Sequence, residues 1–190
     1  VKAGVLAVQG AFREHREVLE ALGVDSVEVR RPEHLSGVDA LLLPGGESTT
    51  MVKLLDSAGL REPIADRVAD GVPVLGTCAG MILLARTVVD GRPDQWSFDA
   101  IDLAVRRNGY GRQRESFEAP LAVAGLPGGP FPGVFIRAPV VERYGPDVEV
   151  LATWDDAPVL LRHDRIWVAA FHPELSADLR VHQLFLEEVV

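Results

Sequence analysis

An open α/β fold is what this sequence predicts: a mostly parallel sheet flanked by helices, flavodoxin-like, with antiparallel strands added in the second half. Three observations carry the prediction. Short apolar runs without alternation, such as Ala3–Val8 and Ile166–Phe171, read as strands covered on both faces. Helical stretches that stop at glycine fall between them. Small-residue turns follow the strands, and ligands of open α/β sheets bind beyond the carboxyl ends of strands.

The elements follow in order. After Ala3–Val8, Gln9-Gly10 turns the chain into a helix from about Phe12 to Leu22, which Gly23 closes. Ser26–Val29 forms a second strand, broken by Arg31-Pro32. Val38–Leu43 is a third, ending in Pro44-Gly45-Gly46. Glu47–Ala58 is helical, with Glu47 or Ser48 suited to its N-terminus. A helix over about Glu62–Asp70 leads to the strand at Val74-Leu75, with Pro73 at its start, and Met81–Ala85 suits a buried helix. Beyond Val88, strands are predicted at Ile101–Val105, Gly133–Ile136, Val148–Leu151 and Val159–Leu161, with no long helix between them. The last strand, Ile166–Phe171, runs into His172-Pro173-Glu174. A closing helix from about Ala177 has Leu179, Leu184, Phe185 and Val189 as its core stripe. No internal repeat or linker marks a boundary, so residues 1–190 are expected to form one domain.

Composition narrows the function classes. With 47% hydrophobic and 25% charged residues the chain has the makings of a packed core rather than a disordered segment. A net charge of −9 argues against general nucleic-acid or anionic-membrane binding. No apolar run approaches the ~20 residues needed to span a bilayer. Polar Gln9 and Arg13-Glu14-His15 come too early for a signal peptide. Cys78, the single cysteine, excludes an intrachain disulfide and fits a reducing compartment, so a cytoplasmic location is expected.

Cys78 stands in Gly76-Thr77-Cys78-Ala79-Gly80, between a predicted strand and helix. This is the sulfur counterpart of the G-x-S-x-G turn that presents a nucleophile on a tight, strained corner. A helix N-terminus beyond it favours negative charge at sulfur. The plain alternative is a buried cysteine acting as a small hydrophobe, and a partner histidine must decide. Of the five histidines, His15 and His182 fall in amphipathic helices, His34 in a polar loop and His163 in a turn; these four read as surface or capping residues. His172 differs. It ends a buried strand, on the edge that carries Cys78 if the strand is parallel, and Pro173 keeps it out of the helical region. Glu174 can reach back to the ring and fix its tautomer, as the third member of a triad does. The competing reading is a strand-end histidine bonded to a loop, with Glu174 favouring a helix start. Gly45 and Gly46 expose N–H groups where an oxyanion can form, and Ala79 N–H is a second donor; an ordinary turn reads the same way. Glu47 either caps a helix or binds a substrate ammonium. The basic run Arg106-Arg107 to Arg112 and Arg114 favours substrate and partner contacts over RNA, given the overall negative charge.

The order Gly-Gly, G-x-C-x-G, H-P-E resembles the triad-type (class I) glutamine amidotransferases, and among them the glutaminase subunits of pyridoxal 5′-phosphate synthase. The stretches that carry it are LAVQGAFREH (6–15), LPGGESTTM (43–51), GTCAGM (76–81), RNGYGRQRESFE (107–118), GVFIRAP (133–139) and FHPEL (171–175), spread over nearly the whole chain. The resemblance implies that Cys78 attacks the side-chain amide of L-glutamine, that His172 moves the proton and that Glu174 orients His172. It implies a γ-glutamyl thioester, Gly46 and Ala79 N–H groups as the oxyanion hole, and glutamine contacts at Gly45, Gly46, Glu47, Arg107, Ile136 and Arg137, with no cofactor and no metal. It further implies a partner, a (β/α)-barrel synthase subunit that receives the ammonia and builds pyridoxal 5′-phosphate from a pentose phosphate and a triose phosphate. Gly109 and Tyr110 stand where the family leads one to expect a small Ala or Ser and a Phe, which bears on the stiffness of the loop near Arg107. Rival readings are a thiol hydrolase or peptidase of similar architecture, a non-catalytic docking subunit, and, closest, an amidotransferase serving a different synthase.

Overall fold

The computed structural model describes residues 1–109 and 116–189. Its frame is a seven-stranded sheet. In chain order its strands are β1 (Lys2–Leu6), β2 (Asp25–Val29), β3 (Ala40–Leu43), β4 (Val74–Thr77), β10 (Glu149–Trp154), β11 (Ala157–His163) and β12 (Ile166–Ala169), arranged β10-β11-β12-β4-β3-β1-β2. From β2 to β12 every pair is parallel, whereas β11 and β10 add antiparallel strands at one edge. The three central strands β3, β4 and β12 are buried at every residue. That is why their sequences lack alternation: each face lies under other parts of the chain.

The helices are α1 (Phe12–Ala21), α2 (Ser48–Ser57), α3 (Arg61–Ala69), α4 (Ala79–Leu84) and α5 (Arg180–Leu186). Smaller sheets complete the second half: β5 (Ala85–Val88), β6 (Ile101–Arg106) and β9 (Val140–Tyr144) in one, and the antiparallel pair β7 (Ser116–Leu121) and β8 (Phe131–Ile136) in the other. The mostly parallel α/β expectation therefore holds, as does the antiparallel texture of the second half. Among the described residues no helix is long and apolar enough to cross a membrane.

Where expectation and structure differ, the causes are local. α4 ends at Leu84, and Ala85–Val88 pairs in parallel with Ile101–Val105 instead of prolonging the helix. β7 and β9 expose much of their length and carry Pro120, Glu118, Glu142 and Arg143, so neither shows the apolar run of a covered strand. The closing helix starts at Arg180, three residues later than expected. Ser176 Oγ accepts from Asp178 N–H, and Asp178 Oδ1 accepts from Arg180 N–H and pairs with its guanidinium. Local side-chain bonds of this kind hold Ser176–Leu179 outside the helix. Its buried face is Val181, His182 and Phe185, so only Phe185 of the expected stripe is fully buried.

The chain passes very close to itself where β4 turns into α4. A Cβ on Gly80 would lie 1.9 Å from the carbonyl oxygen of Leu43, so helix and neighbouring strand touch backbone to backbone. Gly80→Ala is expected to lower stability by about 2 kcal/mol or more, since a backbone atom cannot step aside as a side chain can. A lowered urea midpoint for this variant checks that contact, and an unchanged midpoint would contradict it.

Candidate active site

Four loops meet beyond the carboxyl ends of β1, β3, β4 and β12. Parallel pairing sets Ala169 opposite Thr77, and Cys78 N–H donates to Ala169 O at 2.8 Å. The residue after β4 and the chain leaving β12 are thereby fixed side by side. Cys78 has φ 50° and ψ −103°, a left-handed backbone that is costly for a residue with a side chain. Its Sγ lies 3.9 Å from the carbonyl oxygen of Ile136.

His172 is next to it and is only 7% exposed. Its Nδ1–H donates to Glu174 Oε1 at 2.7 Å, and its backbone N–H donates to Val134 O of β8 at 2.8 Å. Pro173 opens a 3-10 turn, Pro173–Leu175, that folds Glu174 back beneath the ring. Burial works against a charged imidazole. Side-chain interaction with Cys78 and the hydrogen bond to Glu174 outweigh it, raising the His172 pKa to about 10. Burial would raise the Glu174 carboxyl, yet the rings of His15 and His172 hold it below the ordinary value.

Gly45 sits against both groups. A Cβ there would come within 2.3 Å of His172 Cε1 and 3.3 Å of Cys78 Cβ, so only glycine lets the strand end lie over the thiol and imidazole. The Gly45 carbonyl accepts from Ala11 N–H at 2.9 Å. Ala79 opens α4, where first-turn N–H groups have no partner within the helix.

Around these groups is a cavity of about 500 Å³, lined by Gly45, Gly46, Glu47, Cys78, Arg107, Ile136, Arg137 and His172 among others. Of the site residues expected from the sequence, Ala79 and Glu174 are outside this lining, Glu174 lying behind His172. Glu47 takes the cap reading at least: its carboxylate accepts from the N–H and hydroxyl groups of Thr49 and Thr50. Burial is the largest single influence and opposes the charge, but the four hydrogen bonds from Thr49 and Thr50 together outweigh it and bring the pKa to about 2. The Arg107 N–H donates to Asp90 Oδ1 and its guanidinium to Asp90 O, at 2.8 and 3.1 Å. Arg137 has φ 42° and Asn108 φ 45°, so the cavity wall, like its floor, holds unfavourable backbone. Tyr110, Arg112 and Arg114 lie outside the described residues. Gly109 packs so closely on β9 that a Cβ would fall 2.3 Å from Val140 Cγ2; in this chain valine fills the space an alanine or serine would need.

Sequence reading passed over several neighbours. Gln9 Oε1 accepts from Glu47 N–H at 2.9 Å and ties the first loop to the Gly-Gly turn. Asp90 anchors Arg107 from a stretch with no pattern of its own. Most importantly, His15 and His182 are not surface residues: both are 0% exposed. His15 Nδ1 and His182 Nε2 are 2.9 Å apart, and His15 Nε2 is 3.1 Å from Thr77 Oγ1. Burial lowers the pKa of both rings, that of His182 to about 3. The signal was present in the spacing, since His15 shares a helix face with Val18 and Leu19, and His182 with Phe185.

A larger cleft, about 1050 Å³, opens at the opposite edge of the sheet near Gly71, Val72 and Asp164–Ile166. Its lining contains no cysteine, serine or threonine. Among the described residues no group of His, Cys, Asp and Glu could hold a metal ion.

Comparison with known proteins finds relatives over nearly the whole chain. The pyridoxal 5′-phosphate synthase subunit PdxT of Salinispora arenicola is 54% identical, over 98% of this chain and 95% of that protein. The PdxT subunit of Thermosipho africanus is 51% identical over 100% and 99%. A crystal structure of a glutamine amidotransferase, 50% identical, superposes with a TM-score of 0.93 over 98% of both chains. The fold recurs in PurLQS from Thermotoga maritima, at a TM-score of 0.70 and 16% identity over 100% of this chain and 99% of that one. A family model spans residues 5–190, and the chain belongs to the SNO glutamine amidotransferase family.

Proposed function

We propose that residues 1–190 act as one amidotransferase domain that hydrolyses L-glutamine to L-glutamate and ammonia through Cys78, His172 and Glu174. The observation that carries this reading is the meeting of a strained cysteine with a buried His–Glu pair at a cavity of about 500 Å³ that Glu47, Arg107 and Arg137 also line. Cys78 Sγ attacks the side-chain carbonyl carbon of glutamine. The oxyanion is stabilised by the N–H groups of Gly46 and Ala79. His172, kept protonated by its contacts with Cys78 and Glu174, gives its proton to the leaving ammonia. The resulting γ-glutamyl thioester is attacked by water, with neutral His172 taking the proton, and the thiol is regenerated as glutamate leaves.

The cavity wall suits a zwitterion. Glu47, anionic throughout the physiological range, provides charge for the ammonium, and Arg107 and Arg137 provide guanidinium groups for the carboxylate. Gly45 and Ile136 close the sides around the amide.

The same reading gives the ammonia a destination. The PdxT relatives are named as subunits of pyridoxal 5′-phosphate synthase, which supports a complex between this chain and a synthase subunit; the partner is proposed to be a (β/α)-barrel and the compartment the cytoplasm. Ammonia released into water would be protonated and lose its nucleophilicity, so transfer across a closed interface is chemically useful.

Glutamate release from L-glutamine tests the reading. Wild type should turn over weakly alone and faster with the synthase subunit, and Cys78→Ala should fall to background in both. Appreciable turnover by Cys78→Ala, or identical wild-type rates with and without the synthase, would overturn it. Stability should also depend on His172 in a defined direction. Because its folded pKa of about 10 lies above the ordinary 6.5, the contribution is complete below about pH 6.5 and is lost as pH rises through 10. The stability difference between wild type and His172→Gln should therefore shrink between pH 7 and pH 10; a constant difference would contradict the ion-pairing.

A further inference from the structure

Glu174 has two carboxylate oxygens, and the proposed triad uses one. Oε1 accepts from His172, while Oε2 is buried and accepts no hydrogen bond among the described residues. An unpartnered oxygen on a buried carboxylate is costly, because desolvation is not offset by a donor. The nearest ring nitrogen is His15 Nε2 at 3.5 Å, with both side chains 0% exposed. Behind it stands His182, 2.9 Å from His15 Nδ1.

The ring tautomers follow from the neighbours. Both histidines are neutral, since burial lowers their pKa values, so one proton lies between His15 Nδ1 and His182 Nε2. If His15 held it, the bare Nε2 lone pair would face the Glu174 carboxylate, and His182 Nδ1 would be a buried donor without an acceptor. If His182 holds it, His182 Nε2–H donates to His15 Nδ1, and His15 Nε2–H points toward Thr77 Oγ1 and Glu174 Oε2. The second arrangement removes the repulsion at Glu174, and His182 Nδ1 is then a buried acceptor rather than a buried donor without a partner.

Building on the triad reading above, we propose that His15, fixed by His182 and Thr77, is a positioning residue for Glu174, its Nε2–H supplying the donor that Oε2 otherwise lacks. The carboxylate is then held between two imidazoles, His172 on one oxygen and His15 on the other. The 3.5 Å separation closes to a hydrogen bond as charge develops on His172, in the way that catalytic hydrogen bonds tighten in the reacting complex. A helix at the start of the chain and one at its end thus act together on the orientation of the catalytic base. The ionisable groups facing Glu174 are His15 from α1 and His172 from the preceding strand end, with His182 of α5 behind His15. Glu14 adds a weaker influence on His15, while Cys78 is the leading influence that raises His172, ahead of Glu174.

The experiment measures kcat, KM and the pH profile of glutaminase activity, with the synthase subunit present, for wild type, His15→Leu and His15→Gln. Glutamine places an amide N–H close to the position of Nε2–H; leucine fills the space without a donor. His15→Leu should lose about tenfold in kcat, the worth of a hydrogen bond to a charged group, with KM changed less than twofold. Its acidic limb should move to higher pH, because an undonated buried carboxylate protonates more readily. His15→Gln should restore most of kcat and return the limb toward wild type. An acidic limb that stays in place in His15→Leu, or moves equally in both variants, overturns the inference. Cys78→Ala runs beside them: activity surviving there would defeat the triad reading itself, whereas its loss with His15→Leu unaltered would defeat only the role of His15.

Discussion

Parallel pairing of β4 with β12 is the constraint on which the site depends. Eighty-eight residues of chain separate these strands, with β5 to β11 between them, yet they are sheet neighbours with Ala169 opposite Thr77. Because they run in the same direction, both deliver their following residues to the same edge. A one-residue change of register would turn every side chain of β12 to the other face, and His172 would no longer meet the thiol. The burial of both strands on both faces makes that register costly to change, so the stability of the core and the geometry of the site have the same origin.

Around this pair the chain accepts local strain where chemistry needs reach. Cys78, Asn108 and Arg137 all take positive φ while bordering one cavity, and each is held by neighbours with no freedom to relax. Cys78 N–H is tied to β12, Arg137 leaves β8 directly after its last residue, and Gly109 beside Asn108 is pressed on Val140 and donates to Ala138 O. Such conformations persist only where packing over-determines them. Glycine serves a different purpose at position 45, where the absence of a side chain brings backbone over the His172 ring.

Much of this was legible in the sequence because it is local. The unalternating strands, the helix stops, the turn around Cys78 and the Pro173 corner are each written in a few adjacent residues. Their boundaries shifted by one to three residues, and the shift at the closing helix followed local bonds such as the Asp178–Arg180 pair. What escaped reading is what depends on distant partners. His15 and His182 are buried because each satisfies the other across 167 positions, and a polar ring on an amphipathic helix reads as exposed until its partner is seen. Edge strands β7 and β9 were invisible for the converse reason: half-solvated strands have little apolar pattern to display. Asp90, which anchors Arg107, belongs to no motif and acts only through the fold.

The proposed chemistry requires the Cys78 sulfur to lie where the side-chain amide of glutamine binds. A glutamine-mimicking diazo-ketone, followed by intact-mass analysis and peptide mapping, tests that placement directly, since Cys78 is the single cysteine of the chain. One adduct per chain, located at Cys78 and suppressed by excess L-glutamine, is the predicted result. Labelling that falls elsewhere, or that excess L-glutamine leaves unchanged, would contradict the account.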